Sequence, residues 1–202
     1  MHINLLSRSI AAIALSFGAI ASAQALNVAA SGNLTLNISV ADVPFTLVSG
    51  SSDIRIWTDS YDSGINFDPV VTLWQRSGAD YTLVGSNDDD DIIGAGQTSF
   101  DAGLSYSTLA AGQYLVSVTA SPYFASSSLR SQGFALDPAF GPTDPATLIS
   151  EWNQHSYDIN TNNQKGTFWS LNVTAVPEPD AHALLALGLG AVAWAVRRRQ
   201  VA

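Results

Sequence analysis

Four adjacent aspartates, Asp88-Asp89-Asp90-Asp91, are the residues whose type and spacing point most directly to chemistry. Neighbouring carboxylates repel one another, and a bound cation relieves that repulsion. Calcium takes about six to eight oxygens from carboxylates, carbonyls and waters, held in a flexible loop. Asp62-Ser63-Gly64-Ile65-Asn66-Phe67-Asp68 offers a second set of oxygens, and Asp101 another. Val70 to Gln75 and Tyr81 to Val84 flank Ser77-Gly78-Ala79-Asp80, which reads as a β-hairpin. The two ends of a hairpin lie together, so the loop before its first strand meets the loop after its second. Asp62, Asp68, Asp88, Asp89 and Asp101 are therefore the candidate calcium cage. A solvated acidic loop is the competing reading. The spacing is not that of an EF-hand, and the closing Glu of such a loop is missing.

No catalytic residue and no certain cofactor is expected. His155 is the only histidine between Leu26 and Ala175, too few for a catalytic zinc site. His155, Ser156 and Asp158 are near neighbours in sequence, an arrangement that rarely makes a triad. No G-x-S-x-G elbow supports a nucleophile. Glu151 is the only glutamate of that stretch, and the aspartates cluster in turns, where they have local structural work. A carboxylate pair for glycoside hydrolysis is the residual enzymatic reading. Trp152, Tyr157 and Tyr123 fall in loop-like sequence and are the candidates for stacking on sugars, which makes a carbohydrate-binding module the alternative function. Trp57 and Trp169 fall in apolar strand patterns and read as core.

The chain has 202 residues, no cysteine and a formal net charge of -9. From Leu26 to Ala175, Arg55, Arg76, Arg130 and Lys165 stand against fifteen acidic residues. Such a surface excludes nucleic acid as a partner, because phosphate binding needs basic side chains. Cations, or polysaccharide bridged by cations, suit it, although solubility alone also benefits. Without cysteine there are neither disulfides nor thiolate metal sites.

Both ends carry export signals. Arg8, the apolar stretch Ile10 to Ala21, and the small residues Ala21-Ser22-Ala23-Gln24-Ala25 read as a signal peptide over 1–25, a substrate for signal peptidase. A buried N-terminal helix is the other reading. At the far end, Ala181 to Val196 is apolar apart from His182 and runs straight into Arg197-Arg198-Arg199. As a helix it would span roughly 24 Å against a hydrocarbon core of about 30 Å. Snorkelling arginines and local thinning can supply the remainder. A transmembrane helix over 181–196 is thus expected, its arginines cytoplasmic and the domain outside the inner membrane. Apolar residues on every face speak against an amphipathic core helix.

Val176-Pro177-Glu178-Pro179, the apolar helix and the terminal arginines, in that order, resemble the PEP-CTERM sorting tail of Gram-negative bacteria. The resemblance covers about 27 of the 202 residues. It implies that Val176, Pro177, Glu178, Pro179, Arg197, Arg198 and Arg199 are read by an exosortase-type processing enzyme. It further implies association with exopolysaccharide, and passage from the inner membrane to the cell surface or beyond. The two prolines fix an extended spacer between domain and helix.

Between the ends no long helical period is found. Asn33 to Val40 alternates apolar and polar residues. Phe45 to Val48, Ile54 to Thr58, Gln113 to Ala120 and Phe168 to Val173 are further strand candidates. The expected fold is all-β, an antiparallel, jelly-roll-like β-sandwich over 26–175, followed by the sorting tail over 176–202. Asn66-Phe67-Asp68-Pro69, Gly85-Ser86-Asn87-Asp88-Asp89 and Leu109-Ala110-Ala111-Gly112-Gln113-Tyr114 follow one another as in the pre-peptidase C-terminal type of β-sandwich. This second resemblance runs roughly from Asp53 to Ala120. It implies a non-catalytic accessory module, of a kind that in some members binds calcium. The Ser- and Pro-rich stretch 121–166 departs from that pattern. The expected function is that of an exported, non-catalytic cell-surface or extracellular-matrix protein.

Overall fold

The computed structural model describes residues 25–139, 146–152, 165–178 and 181–201. The signal-peptide reading, along with His155, Tyr157 and Pro179, lies outside the described residues. Among the described residues there are ten strands: β1 Leu26–Asn33, β2 Ala41–Leu47, β3 Ser51–Thr58, β4 Pro69–Ser77, β5 Asp80–Asn87, β6 Gly103–Leu109, β7 Gly112–Ala120, β8 Tyr123–Ala125, β9 Phe134–Leu136 and β10 Phe168–Pro177. One sheet has the order β1-β10-β3-β6, a second the order β2-β7-β4-β5, and β8 pairs with β9 alone. Every pairing between these strands is antiparallel. The expected hairpin is β4–β5, closed by the two-residue turn Gly78-Ala79 with Ser77 opposite Asp80.

In the first sheet the side chains alternate as a half-buried strand requires. Trp169, Leu171, Val173 and Ala175 of β10 point inward, as do Ile54 and Ile56 of β3. They share one apolar cluster with Phe45 of β2, Leu73 of β4, and Tyr114, Val116 and Val118 of β7. Pro44 sits on β2, at an edge of the second sheet, where a missing N–H is tolerated.

The second sheet departs from simple alternation. Pro69 to Trp74 of β4 are all buried, and so are Tyr114 to Ala120 of β7. The cause is the segment 121–139, the part of the insertion that sequence reading could not place. β8, a short 3-10 turn at Arg130–Gln132 and β9 form a strap linked to all four strands. Arg130 donates to Asp42 of β2 at 2.8 Å, and Thr119 of β7 donates to the Tyr123 carbonyl at 2.6 Å. Phe134 meets Trp74 of β4 edge-on at 5.9 Å, and the Leu83 N–H of β5 donates to the Ser128 carbonyl at 2.8 Å. Beneath the strap, the Trp74 indole donates to Ser117, whose hydroxyl donates in turn to Asp42.

Two expectations are corrected. Asn33 to Val40 is not a strand: β1 ends at Asn33, and the following backbone pairs irregularly with other segments. Leu34 N–H donates to the Thr167 carbonyl, Asn37 N–H to that of Thr147, and Ile149 N–H to that of Thr35. Burial does not follow the alternation: Leu34 and Asn37, three residues apart and on opposite faces of the expected strand, are both buried in a coil. The second correction concerns the tail. Helix α1, Ala181–Val201, is 21 residues long, but among the described residues no helix is long and apolar enough to cross a membrane. The transmembrane helix expected over 181–196 is therefore not found. The extra length is Arg197 to Val201, of which only Val201 is apolar. Leu185, Leu189, Val192 and Trp194 are nonetheless exposed, and the Arg198 guanidinium lies 4.4 Å from the Trp194 ring centroid. Contacts group Ala23–Pro179 into one compact unit, with α1 in another.

Leu171 is completely buried in the shared core. Leu171→Ala should cost about 2–5 kcal/mol in urea unfolding, through lost transfer energy and the cavity left behind. Ser107→Ala, on the exposed side of β6, should change stability by less than about 0.5 kcal/mol.

Candidate functional site

Asp68 immediately precedes β4, and Asp88 and Asp89 immediately follow β5. Because Val71 lies opposite Asn87, the hairpin brings these three residues to one end of the second sheet. One carboxylate oxygen of each lies within 4.8 Å of the others. Asp68 and Asp88 are partly buried, and Asp89 is exposed. One further strand end contributes: the Ser121 hydroxyl, just past β7, donates to Asp88 Oδ2 at 3.1 Å, and its N–H donates to the Asp68 carbonyl at 2.9 Å.

The other two residues of the expected cage lie elsewhere in function or in space. Asp101 is fully buried, and its two oxygens are already engaged. Oδ1 accepts from the N–H groups of Ser60 and Tyr61 and from the Thr58 hydroxyl, at 2.9 to 3.0 Å. Oδ2 accepts from the Thr98 N–H at 2.8 Å and from its hydroxyl at 3.3 Å. Asp101 thus ties the turn after β3 to the loop before β6. Asp62 stands exposed on a short 3-10 turn and is not one of the three converging carboxylates.

Besides Asp101, the loop from Asp88 to Asp101 is fixed by side chains that carry no charge, so nothing in their residue types pointed to them. Gln97 donates to the Asp90 carbonyl at 2.6 Å and accepts from the Gly94 N–H at 2.7 Å. The Asp90 N–H donates to the Asp101 carbonyl at 2.9 Å. Gly94 lies flat on the Trp57 ring, so close that a Cβ would overlap it, and the Trp57 indole N–H donates to the Ala95 carbonyl. Asp88 and Asp89 are thereby presented from a built loop.

Electrostatics follow from the crowding. Burial, then the charges of Asp88, Asp89 and Asp101, push the Asp68 carboxyl well above its ordinary range, with Lys165 pulling the other way. Burial and then Asp89 raise Asp88 to about 7, opposed by the Ser121 hydrogen bond. Burial also raises Asp89. Tyr61 is pushed up to about 12 by burial, then by Asp68, Asp89 and Asp101. Lys165, the only lysine of the chain, is buried and donates to the Gly64 carbonyl at 3.0 Å. Burial lowers its pKa and Asp68 raises it. Three carboxylates this close cannot all remain charged without compensation: they take up protons or share a cation.

The aromatic candidates divide differently. Trp152, expected at the surface, is only 4% exposed and belongs to the core cluster. Tyr123 is half-buried in the strap, tilted against Phe134 at 5.6 Å.

The raised carboxyls fix the sign of a pH dependence. An acid whose folded pKa lies above its unfolded value stabilises fully below the unfolded pKa, and that stability is lost as pH rises through the folded one. In chelator, Tm should therefore fall between about pH 4 and pH 7, the window set by the ordinary carboxyl value and that of Asp88. Asp88→Asn, which copies the neutral form, should flatten this slope in calorimetry at a series of pH values.

A family model described as the PEP-CTERM protein-sorting motif matches residues 175–199. No curated protein and no solved structure matches the chain. The matched tail marks the chain as an exported, membrane-anchored precursor that is a substrate for exosortase.

Proposed function

We propose that this is a non-catalytic cell-surface or extracellular-matrix protein, associated with exopolysaccharide, whose β-sandwich is stiffened by calcium at Asp68, Asp88 and Asp89. The observation that carries the reading is the convergence of three carboxylates within 4.8 Å at the mouth of the β4–β5 hairpin. That separation suits oxygens sharing one ion at about 2.3–2.6 Å from each. Backbone carbonyls and water would complete the shell. The acidic, cysteine-free surface supports a partner bridged by cations, and the sorting tail supports export. The likeness to the pre-peptidase C-terminal type of β-sandwich over Asp53 to Ala120 points the same way, to an accessory module and not to a catalyst.

A carbohydrate-binding module is the alternative. It loses Trp152 as a stacking surface, because that ring is buried in the core. A hydrolase would need a carboxylate pair flanking a substrate, whereas the three aspartates here crowd a single point.

Calcium should raise the Tm of the exported domain. At roughly a hundredfold excess over Kd, linkage gives about 2.7 kcal/mol, or about 5–10 °C for a domain of this size. Asp88→Asn together with Asp89→Asn should abolish the rise in a thermal melt with and without chelator. A melt indifferent to calcium would leave the cluster as an acidic loop and sink the ion-site reading.

A further inference from the structure

The sorting motif does not begin on free chain. β10 runs through Val176 and Pro177, which pair with Ser52 and Ser51 of β3. The Glu178 N–H then donates to the Gly50 carbonyl at 2.9 Å. One residue earlier, Ala175 is also opposite Leu26 of β1, so β10 is flanked on both sides up to the edge of the motif. Gly50 is bare where the glutamate lies: a Cβ there would be 3.1 Å from Glu178 Oε2. The side chains meanwhile remain available, with Val176 and Glu178 exposed and Pro177 half-buried.

A segment with its backbone clamped and its side chains displayed is a recognition element, not a linker. An enzyme that cuts a peptide must separate it from its sheet neighbours. Drawing Val176 to Glu178 into a cleft would break the Gly50 bond and the last pairs with β3. Continuing upstream would uncover Ala175 and Val173, both buried in the core.

Building on the sorting-tail reading, we propose that the folded domain displays Val176-Pro177-Glu178 as a fixed, extended recognition element. We further propose that the processed peptide bond lies on the C-terminal side of Glu178. Processing there breaks one C–N bond. The acyl carbon passes to water or to an amine acceptor, and the released amine takes the proton. The product keeps β10 whole.

The test uses the full chain, co-expressed with an exosortase-type enzyme in a Gram-negative host, with intact mass and yield of the released product as readouts. The product should end at Glu178 or later. Inserting Gly-Ser-Gly-Ser between Ala175 and Val176 leaves the motif intact but frees it from the sheet, and should lower the yield several-fold. Gly50→Ile, which displaces Glu178 from its seat, should do the same while the domain keeps its Tm. Should Gly50→Ile fail to fold, the insertion carries the test. A product ending before Glu178, or an insertion variant processed as well as the parent, overturns the display. Replacing Pro177, Glu178 and Pro179 together by alanine tests the reading beneath it: unchanged processing there removes the sorting tail itself, a result distinct from the other two.

Discussion

Two sheets with no disulfide between them depend first on what they bury, and the chain has no cysteine to tie them otherwise. Ile54, Ile56, Leu171 and Val173 from one sheet join Phe45, Leu73, Val116 and Val118 from the other in a single cluster. That alone would leave the outer face of the second sheet wet. The strap from Tyr123 to Leu136 covers it, so β4 and β7 are buried on both faces and pack as central strands do. The polar groups enclosed by this arrangement are chained together: Trp74 to Ser117, Ser117 to Asp42, and Asp42 to Arg130. The Trp74 indole, the Ser117 hydroxyl and Arg130 Nη2 each find an acceptor, which offsets the cost of taking them from water.

The rigid frame also creates the strain at its end. Asp68 and Asp88 are held in place by the strands on which they border, not by one another, so their repulsion is imposed by the hairpin register. Asp101 shows the contrast. It is the same residue type, more deeply buried, but surrounded by donors from Thr58, Ser60, Tyr61 and Thr98. One aspartate is a fastener; the three beside it crowd their carboxylates together within 4.8 Å. The difference lies in the donors that the turn after β3 brings to Asp101 from far along the chain.

Much of this was legible in residue order. The β4–β5 hairpin follows from a glycine turn between two apolar runs, and the meeting of Asp68 with Asp88 and Asp89 follows from the hairpin. β10 could be read from Trp169, Leu171 and Val173 on one face. What escaped has specific causes. β1, Leu26–Asn33, is built largely of small residues whose alternation is faint, and the stronger alternation just after it belongs to a coil. The strap was opaque because its strands are three residues each, below the length at which periodicity speaks. Trp152 looked exposed because its neighbours are polar, yet a large ring in irregular backbone can still fill a core. The tail was recognisable from its motif, while its helix proved shorter in apolar length than a bilayer requires. Asp101 and Gln97 fasten the loop through hydrogen bonds that no spacing announces.

The pairing of β1 with β10 has a further meaning for a chain made and exported from its N-terminus onward. Residues 26–33 find their partner only in 168–177, at the opposite end of the domain. β10 also separates β1 from β3, so the first sheet has no middle until the last strand arrives. Contacts so distant in sequence make closure slow and late. The domain therefore cannot be finished piecemeal as it emerges. The first sheet closes only with the strand that leads into the sorting tail seated between β1 and β3.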